Sequence, residues 1–278
     1  MGIFDGCIIT SDVDDTLVSS GYINPENIKK IEFFISEGGM FSLATGRSAN
    51  ALSGVISQLK RFSPSVVANG CMIYDYSAKD VLYDLAIPKE DHKILKEVIN
   101  RGLPVGVEVH SGYDTYSPLQ NSESDFHKKY EGFQTIECDY KTVDQVRWNK
   151  FIFFSEDIAI FDEIRKIAEE IAFKSDFVSS RMVYNGVQHN FLEVVPNGVS
   201  KATAISKLCE MFNIKKDCSY AIGDFYNDIP MLKNADVAAV TAGAPQEVKA
   251  HADYITVPCE EGAVADFIDF LTQIHKTV

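Results

Sequence analysis

Basic residues are scarce in this chain. Its 278 residues include 26 Lys and Arg against 40 Asp and Glu, which gives a formal net charge of −14. Nucleic acids and anionic membranes are bound through clustered Lys and Arg, so we predict neither as a main partner. No apolar run approaches the roughly 20 residues that span a bilayer, and no leader-type pattern is seen. We therefore expect a cytoplasmic protein.

The chain also lacks a cysteine pattern typical of a metal site or a disulfide framework. The six cysteines are scattered, without a Cys-x-x-Cys pair or a histidine at metal-ligand spacing. This argues against a zinc site or a disulfide framework, and most of the cysteines are predicted to be small buried apolar residues. The apolar fraction of 46% and the charged fraction of 24% are ordinary for a globular protein. The length suits one large domain or two.

The order of predicted elements divides the chain into three parts. Strands and helices alternate near both ends, with the second strand at 40–44, a helix over 51–59 and the third strand at 65–68. This alternation predicts an α/β fold with a doubly wound (Rossmann-like) parallel sheet. In the middle, strands follow one another directly, which predicts an α+β module. We therefore predict a core of residues 1–84 and 197–278, with residues 85–196 as an inserted domain.

The first predicted strand ends in acidic residues. Residues 7–11 are mostly apolar and β-branched, and Asp12 and Asp14 follow. Ligands bind at this end of an open parallel sheet. Two acids two residues apart are predicted to face the same way, which is costly unless a cation lies between them or one is protonated. Mg²⁺ suits such a site; the alternative is a loop of solvated acids that caps the next helix.

Two further positions could bind an anion. Thr45 ends the second predicted strand, and its hydroxyl and N–H could hold a phosphate oxygen; otherwise it is an ordinary helix-entry residue. Lys201 begins a helix that is predicted to run from Lys201 to Phe212, and a cation at the start of a helix opposes the macrodipole. We therefore expect an anion beside Lys201, from a side chain or a ligand, unless this lysine is simply solvated.

A second acidic motif follows a later strand. Gly223 permits a tight turn, after which Asp224 and Asp228 are four residues apart, with Asn227 between them. These side chains are predicted to face one spot. Helix capping is the alternative, but capping accounts for one acid and not for two acids and a glycine.

Together these motifs resemble the haloacid dehalogenase-like phosphohydrolases, specifically the Cof-type subfamily with a large α/β cap. The resemblance covers nearly the whole chain and includes Asp15, at a position where many relatives have glycine. The motifs that carry it are Asp12-Val13-Asp14-Asp15-Thr16-Leu17, Ala44-Thr45-Gly46-Arg47, Ala68-Asn69-Gly70, Pro196-Asn197-Gly198-Val199-Ser200-Lys201, Gly223-Asp224 with Asn227-Asp228, and residues 248–256.

The resemblance implies a role for each motif residue. Asp12 would be the nucleophile that takes the phosphoryl group, and Asp14 the general acid and later the base. The residues implied to bind phosphate or substrate are Thr45, Gly46, Arg47, Lys201 and Asn227. The residues implied to bind or support Mg²⁺ are Asp12, Asp14 (through its backbone carbonyl), Asp224 and Asp228. The inserted domain would be a cap that selects the substrate.

These expectations define a function and two alternatives. We predict a Mg²⁺-dependent phosphatase, a monomer or homodimer, that acts on a small phosphorylated metabolite such as a sugar phosphate or a cofactor precursor. The alternatives are a phosphomutase or phosphotransferase, and a non-catalytic sensor. Polar and aromatic residues on predicted cap strands are interpreted as structural or surface residues rather than substrate contacts, with Arg47 the stronger candidate: His110, Tyr113, Arg181, Tyr184 and His189.

Overall fold

The computed structural model describes residues 2–277. Its strands are β1 (Ile8–Ser11), β2 (Val18–Ser19), β3 (Tyr22–Ile23), β4 (Met40–Leu43), β5 (Ser65–Val67), β6 (Met72–Asp75), β7 (Asp80–Asp84), β8 (Gly106–Ser111), β9 (Asp114–Leu119), β10 (Ile136–Glu137), β11 (Lys150–Phe154), β12 (Asp176–Tyr184), β13 (Val187–Val195), β14 (Ser219–Gly223), β15 (Val237–Val240) and β16 (Tyr254–Ile255). Its α-helices are α1 (Pro25–Ser36), α2 (Ser53–Ile56), α3 (Lys93–Asn100), α4 (Ser122–Glu131), α5 (Tyr140–Val143), α6 (Ala159–Glu170), α7 (Lys201–Phe212), α8 (Ile229–Asn234), α9 (Gln246–Lys249) and α10 (Ala263–Thr277).

The chain forms two compact units. The first contains the residues up to Gly46, Ser53–Leu82 and the residues from Ser200 onward, and the second contains Arg47–Leu52 and Tyr83–Val199. Residues 47–52, 83–84 and 197–199 are predicted to belong to the core, whereas the structure groups them with the second unit. That the two units are a catalytic core and a cap stays a prediction.

A parallel sheet forms the centre of the first unit. Five strands pair in the order β16-β15-β14-β1-β4, and every pairing is parallel. In β1, all four residues are buried, as expected for a central strand with both faces covered. The predicted α/β class is confirmed.

The third predicted strand differs in its pairing. β5 pairs antiparallel with β6, and it meets β4 only through an isolated parallel bridge between Ala44 and Val66. The predicted helix over 51–59 is also largely wrong, because only Ser53–Ile56 is α-helical. Serine and glycine in this stretch are weak helix formers, and apolar spacing alone does not overcome that.

Two helices of the first unit begin with local capping signals. Asn24 accepts a hydrogen bond from the backbone N–H of Glu26 at the start of α1, and Pro25 is the first residue of that helix. At α7, Ser200 and Thr203 form a reciprocal capping box. The prediction that this helix runs from Lys201 to Phe212 is confirmed.

The second unit is an α+β structure. Its sheet has the order β10-β9-β8-β11-β13-β12, in which β10 and β9 are parallel and the other pairs are antiparallel. Helices α3 and α6 contribute to a hydrophobic core on one face, where Trp148, Phe151 and Phe153 are fully buried. The predicted α+β character of this segment is confirmed. Among residues 2–277, we find no helix with the length and apolar composition needed to cross a bilayer.

Candidate active site

Asp12 lies at the C-terminal end of the central strand. Its backbone N–H donates to the carbonyl of Ile222 at 2.9 Å, and its side chain is only 7% exposed. Because Ser11 pairs with Ile222 in parallel register, the residues that follow both strands emerge at one edge of the sheet. This pairing brings Asp12 close to the Gly223-Asp224 turn.

Backbone N–H groups of that turn hold the side chain of Asp228 in place. Its Oδ2 accepts from the N–H groups of Asp224 at 3.0 Å and Phe225 at 3.1 Å. A Cβ on Gly223 would lie 2.6 Å from the carboxyl carbon of Asp228, so the residue before Asp224 must be glycine for this close approach. Asp224 in turn accepts a hydrogen bond at 2.9 Å from the hydroxyl of Thr16.

Lys201 joins two of these acids. Its ammonium is 2.5 Å from Oδ1 of Asp12 and 2.6 Å from Oδ1 of Asp228, and the residue is 2% exposed. The expected anion beside this helix-start lysine is thus a pair of carboxylates. The start of the helix is fixed by close packing, since a Cβ on Gly70 would lie 2.1 Å from the carbonyl oxygen of Ser200.

The acids form a site with excess negative charge. Oxygens of Asp12, Asp224 and Asp228, the carboxylate cluster, lie within 4.8 Å of one another. Burial and the neighbouring Asp228 raise the pKa of Asp12 well above its usual value, although Lys201 opposes this. Burial and Asp228 also raise the pKa of Asp224, to about 7. Three carboxylates against one ammonium suit a hard divalent cation such as Mg²⁺, which prefers oxygen ligands.

Thr45 occupies the same edge of the sheet, at the end of β4. It is 1% exposed, its N–H donates to the carbonyl of Val66, and its carbonyl accepts from the N–H of Asn69, both at 3.0 Å. Asn69 has φ of +59°, and a Cβ on Gly46 would lie 2.9 Å from its Oδ1. A left-handed residue and a glycine therefore shape the backbone next to Thr45.

Other predicted site residues are not members of the carboxylate cluster. The side chain of Asp14 is half-buried and is not a member of that cluster, and its predicted backbone role stays a prediction. Asn227 is exposed. Arg47 belongs to the second unit, where it helps to lower the pKa of Glu131.

The singled-out residues of the second unit fall into two groups. His110 and His189 are buried, and His189 Nδ1 is 2.8 Å from the carboxylate of Glu123. The other three are exposed: Tyr113, Arg181 and Tyr184.

The contacts that Thr16, Gly70 and Gly223 make in the site are not predicted by the sequence. Thr16 stands within the first acidic motif, so the motif itself was the signal for its contact with Asp224. The two glycines stand within quoted motifs, but the atoms that they approach belong to residues far along the chain or beyond the turn, which only the structure reveals.

Comparisons with known proteins agree with this architecture. A family model described as haloacid dehalogenase-like hydrolase matches residues 9–268. A 5-amino-6-(5-phospho-D-ribitylamino)uracil phosphatase of Bacillus subtilis is 23% identical over 282 residues, covering 95% of this chain and 97% of the relative. The structure of a haloacid dehalogenase-like hydrolase from Bacteroides thetaiotaomicron has a TM-score of 0.83 at 24% identity, covering 95% and 99% of the two chains.

A solved subclass IIB sugar phosphatase of the same superfamily has a TM-score of 0.77 at 22% identity, covering 96% of this chain and 99% of its own. At such identities the structures show the fold alone. The match of the family model over most of the chain shows the family itself, and relatives named as phosphatases confirm the predicted enzyme class. The chain belongs to the haloacid dehalogenase-like hydrolase family.

Proposed function

We propose that this protein is a Mg²⁺-dependent phosphatase that hydrolyses small phosphorylated metabolites through a phosphoryl group carried on Asp12. One observation carries the proposal: Asp12, buried at the end of the central strand, lies within 4.8 Å of two further carboxylates and 2.5 Å from the ammonium of Lys201. This arrangement supports a role for Asp12 as the nucleophile, for Lys201 as the cation that meets phosphoryl oxygens, and for the carboxylates as metal ligands.

In the first step, a carboxylate oxygen of Asp12 would attack phosphorus. A bond forms between that oxygen and phosphorus while the bond from phosphorus to the alcohol oxygen breaks, which gives an acyl phosphate and an alkoxide. Asp14, protonated beforehand, would give its proton to the alkoxide. Lys201 would stabilise the charge on the non-bridging oxygens, together with the hydroxyl and N–H of Thr45.

In the second step, water would attack the same phosphorus. Asp14, now ionised, takes the proton from that water, and the bond between phosphorus and Asp12 breaks to release inorganic phosphate. Two displacements replace one difficult hydrolysis.

The carboxylate cluster would hold the metal ion. Asp12 and Asp224 would coordinate it directly, with the predicted help of the Asp14 carbonyl. When bound, Mg²⁺ would neutralise charge on the cluster and on the phosphoryl oxygens. Asp228 would act as support, because its Oδ2 already accepts two backbone N–H bonds and its Oδ1 accepts one from Lys201.

The names of relatives support the proposed substrate class. One relative is named for a phosphorylated ribityl compound, and one structural neighbour is a sugar phosphatase. We propose that the second unit is the cap domain that selects the substrate, with Arg47 and Gly46 near the phosphate. Cytoplasmic location and a monomeric or homodimeric state stay predictions.

Phosphate release tests this function. Wild type and Asp12→Asn are compared on sugar phosphates, nucleotides and pyridoxal phosphate, with Mg²⁺ or with chelator. Release that requires both Mg²⁺ and Asp12 is expected. Activity of Asp12→Asn within about tenfold of wild type, equal to only about 1.4 kcal/mol in barrier, rules out this nucleophile. A rearranged sugar phosphate without free phosphate points instead to a mutase.

A further inference from the structure

The sheet of the second unit has one face that carries polar residues. Val107 and Val109 on β8 belong to the hydrophobic core on one side. Because side chains alternate along a strand, Glu108 and His110 lie on the opposite side. Lys150 on β11 pairs directly with His110. All three polar residues are buried.

Three side chains of this unit bury polar atoms that have no hydrogen-bond partner. These atoms are both ring nitrogens of His110, the hydroxyl of Ser117 and Oε1 of Glu108. The residues are 3%, 2% and 0% exposed, respectively. Buried polar groups are nearly always paired, because an unpaired group loses its hydration without compensation. Three such residues on strands β8 and β9 leave a group of polar atoms without the partner that buried polar groups normally have.

The charged groups around these atoms carry no surplus positive charge. Nδ1 of His127 is 2.9 Å from Glu108, and its Nε2 is 3.3 Å from Glu131. The ammonium of Lys150 is 2.6 Å from Glu193. Each acid thus has a cationic neighbour, so the region has no surplus positive charge for a second phosphate or a carboxylate group. An uncharged ligand group suits this environment.

The unpaired atoms include both donors and acceptors. Burial lowers the pKa of His110 well below its usual value, and Lys150 and His127 add to this effect. The neutral imidazole has one N–H donor and one acceptor nitrogen. The hydroxyl of Ser117 can do both, and Oε1 of Glu108 accepts. Alcohol hydroxyls, which donate and accept at each position, match this set.

We infer that the second unit contains a binding site for an uncharged, hydroxyl-rich group such as a polyol or sugar chain, formed by Glu108, His110 and Ser117. The inference rests on the proposed function in one respect: in a phosphatase, this group would be the alcohol part of the phosphomonoester. Substrates with several hydroxyls and a single phosphate would then be preferred over aromatic esters.

Selectivity between two esters tests the inference. The ratio of kcat/KM for ribitol 5-phosphate to that for phenyl phosphate is measured in wild type, His110→Phe and Ser117→Ala. We expect His110→Phe to lower the ratio by about tenfold or more, mainly through KM for the polyol ester, and Ser117→Ala by about threefold or more. His92→Phe is the control, since His92 is equally buried in this unit but pairs with Asp144 at 3.1 Å. Its ratio should match that of wild type.

The possible outcomes separate the inference from the proposed function. If both site variants keep the wild-type ratio, the inference is overturned, and these atoms bind at most ordered water. If His110→Phe fails to fold, Ser117→Ala decides the question. If wild type hydrolyses neither ester, calorimetry with free ribitol tests the site independently of turnover, and the wider substrate panel decides the proposed function. Binding that Ser117→Ala weakens supports the inference, and no binding to wild type overturns it.

Discussion

The ammonium of Lys201 lies 2.5 Å from the carboxylate of Asp12, although 189 residues separate them in sequence. The same ammonium contacts Asp228, so one cation lies between two buried acids. In the proposed reaction Lys201 has two functions. It stabilises the folded site before substrate binds, and it offsets phosphoryl charge during the displacement.

Replacing Lys201 with methionine is expected to reduce both stability and turnover. The variant leaves Asp12 and Asp228 buried without their cation, which costs about 3–5 kcal/mol in free energy of unfolding. We expect kcat to fall by about a hundredfold or more. Urea unfolding in chelator and phosphate release provide the two measurements. Lys207→Met, at an exposed lysine of the same helix, should change stability by less than about 0.5 kcal/mol. Equal effects of the two substitutions would contradict the assignment.

Removing Asp224 is expected to weaken metal activation. Without a cation, burial and Asp228 raise the pKa of Asp224 to about 7, which marks a carboxylate in need of positive charge. In Asp224→Ala the Mg²⁺ concentration for half-maximal phosphate release should rise by about tenfold or more. Asp269→Ala, which removes an acid paired with Lys30 in the first unit, is the control and should leave that concentration unchanged. An unchanged value in Asp224→Ala would remove this residue from the metal site.

Adding one methyl group at Gly223 should displace the side chain of Asp228 in the site. The new Cβ would lie 2.6 Å from the carboxyl carbon of Asp228, so this side chain, which accepts from Lys201, must shift. We expect Gly223→Ala to lose about 1–3 kcal/mol in free energy of unfolding, together with most of its activity. Gly54→Ala is the matched control, because nothing lies within 4 Å of its added Cβ in helix α2. That variant should be neutral or stabilised by up to about 1 kcal/mol. Thermal unfolding and phosphate release separate the two.

Features set by neighbouring residues could be predicted from the sequence. Helix α7 begins and ends where expected, because the capping serine at 200 and the apolar spacing that follows are both local signals. The resemblance implies that Asp12 and Asp224, which follow β1 and β14, bind one metal ion, and parallel strands do place their carboxyl ends at one edge of a sheet. The structure places their oxygens in one cluster.

Features set by strand pairing or by contacts between distant residues could not be predicted. β5 is predicted to lie in the parallel sheet, but its main partner is β6. The composition of a strand does not determine which strand it pairs with. The sequence indicated an anion beside Lys201 but did not identify it. Asp12 lies 189 positions away along the chain, so only the fold shows that the two residues meet. Arg47 follows Thr45 closely, yet it belongs to the other compact unit, which no local pattern reveals.

Asp15 stores backbone strain at the turn after β1. Its φ is +56°, in the left-handed region, and its N–H donates to the carbonyl of Val18 at 3.0 Å. Glycine adopts this conformation without a Cβ clash, and aspartate tolerates it better than alanine does. We expect Asp15→Gly to match or exceed wild-type stability by up to about 1 kcal/mol, and Asp15→Ala to lose about 1 kcal/mol. Urea unfolding of both variants checks the order, and a more stable alanine variant would contradict it.

The buried ion pairs of His127 should make stability depend on pH. Glu131 and Glu108 raise the pKa of His127 from 6.5 to about 10 against the effect of burial. A raised folded-state pKa contributes stability that is complete below pH 6.5 and is lost as the pH rises through about 10. Glu131 behaves oppositely, because its pKa is lowered to about 2, so its contribution is present above pH 4.5 and is lost as the pH falls through about 2.

His127→Gln should therefore be less stable by about 3–5 kcal/mol near pH 6, since two buried carboxylates lose their cation. Between about pH 6.5 and 10 wild type should lose stability steadily, whereas the variant should lose little, because its glutamine does not titrate. Urea unfolding at several pH values measures both curves. His251→Gln, at a half-buried histidine of the first unit, should keep the wild-type dependence. Parallel curves for wild type and His127→Gln would show that these ion pairs do not control the pH response of the second unit.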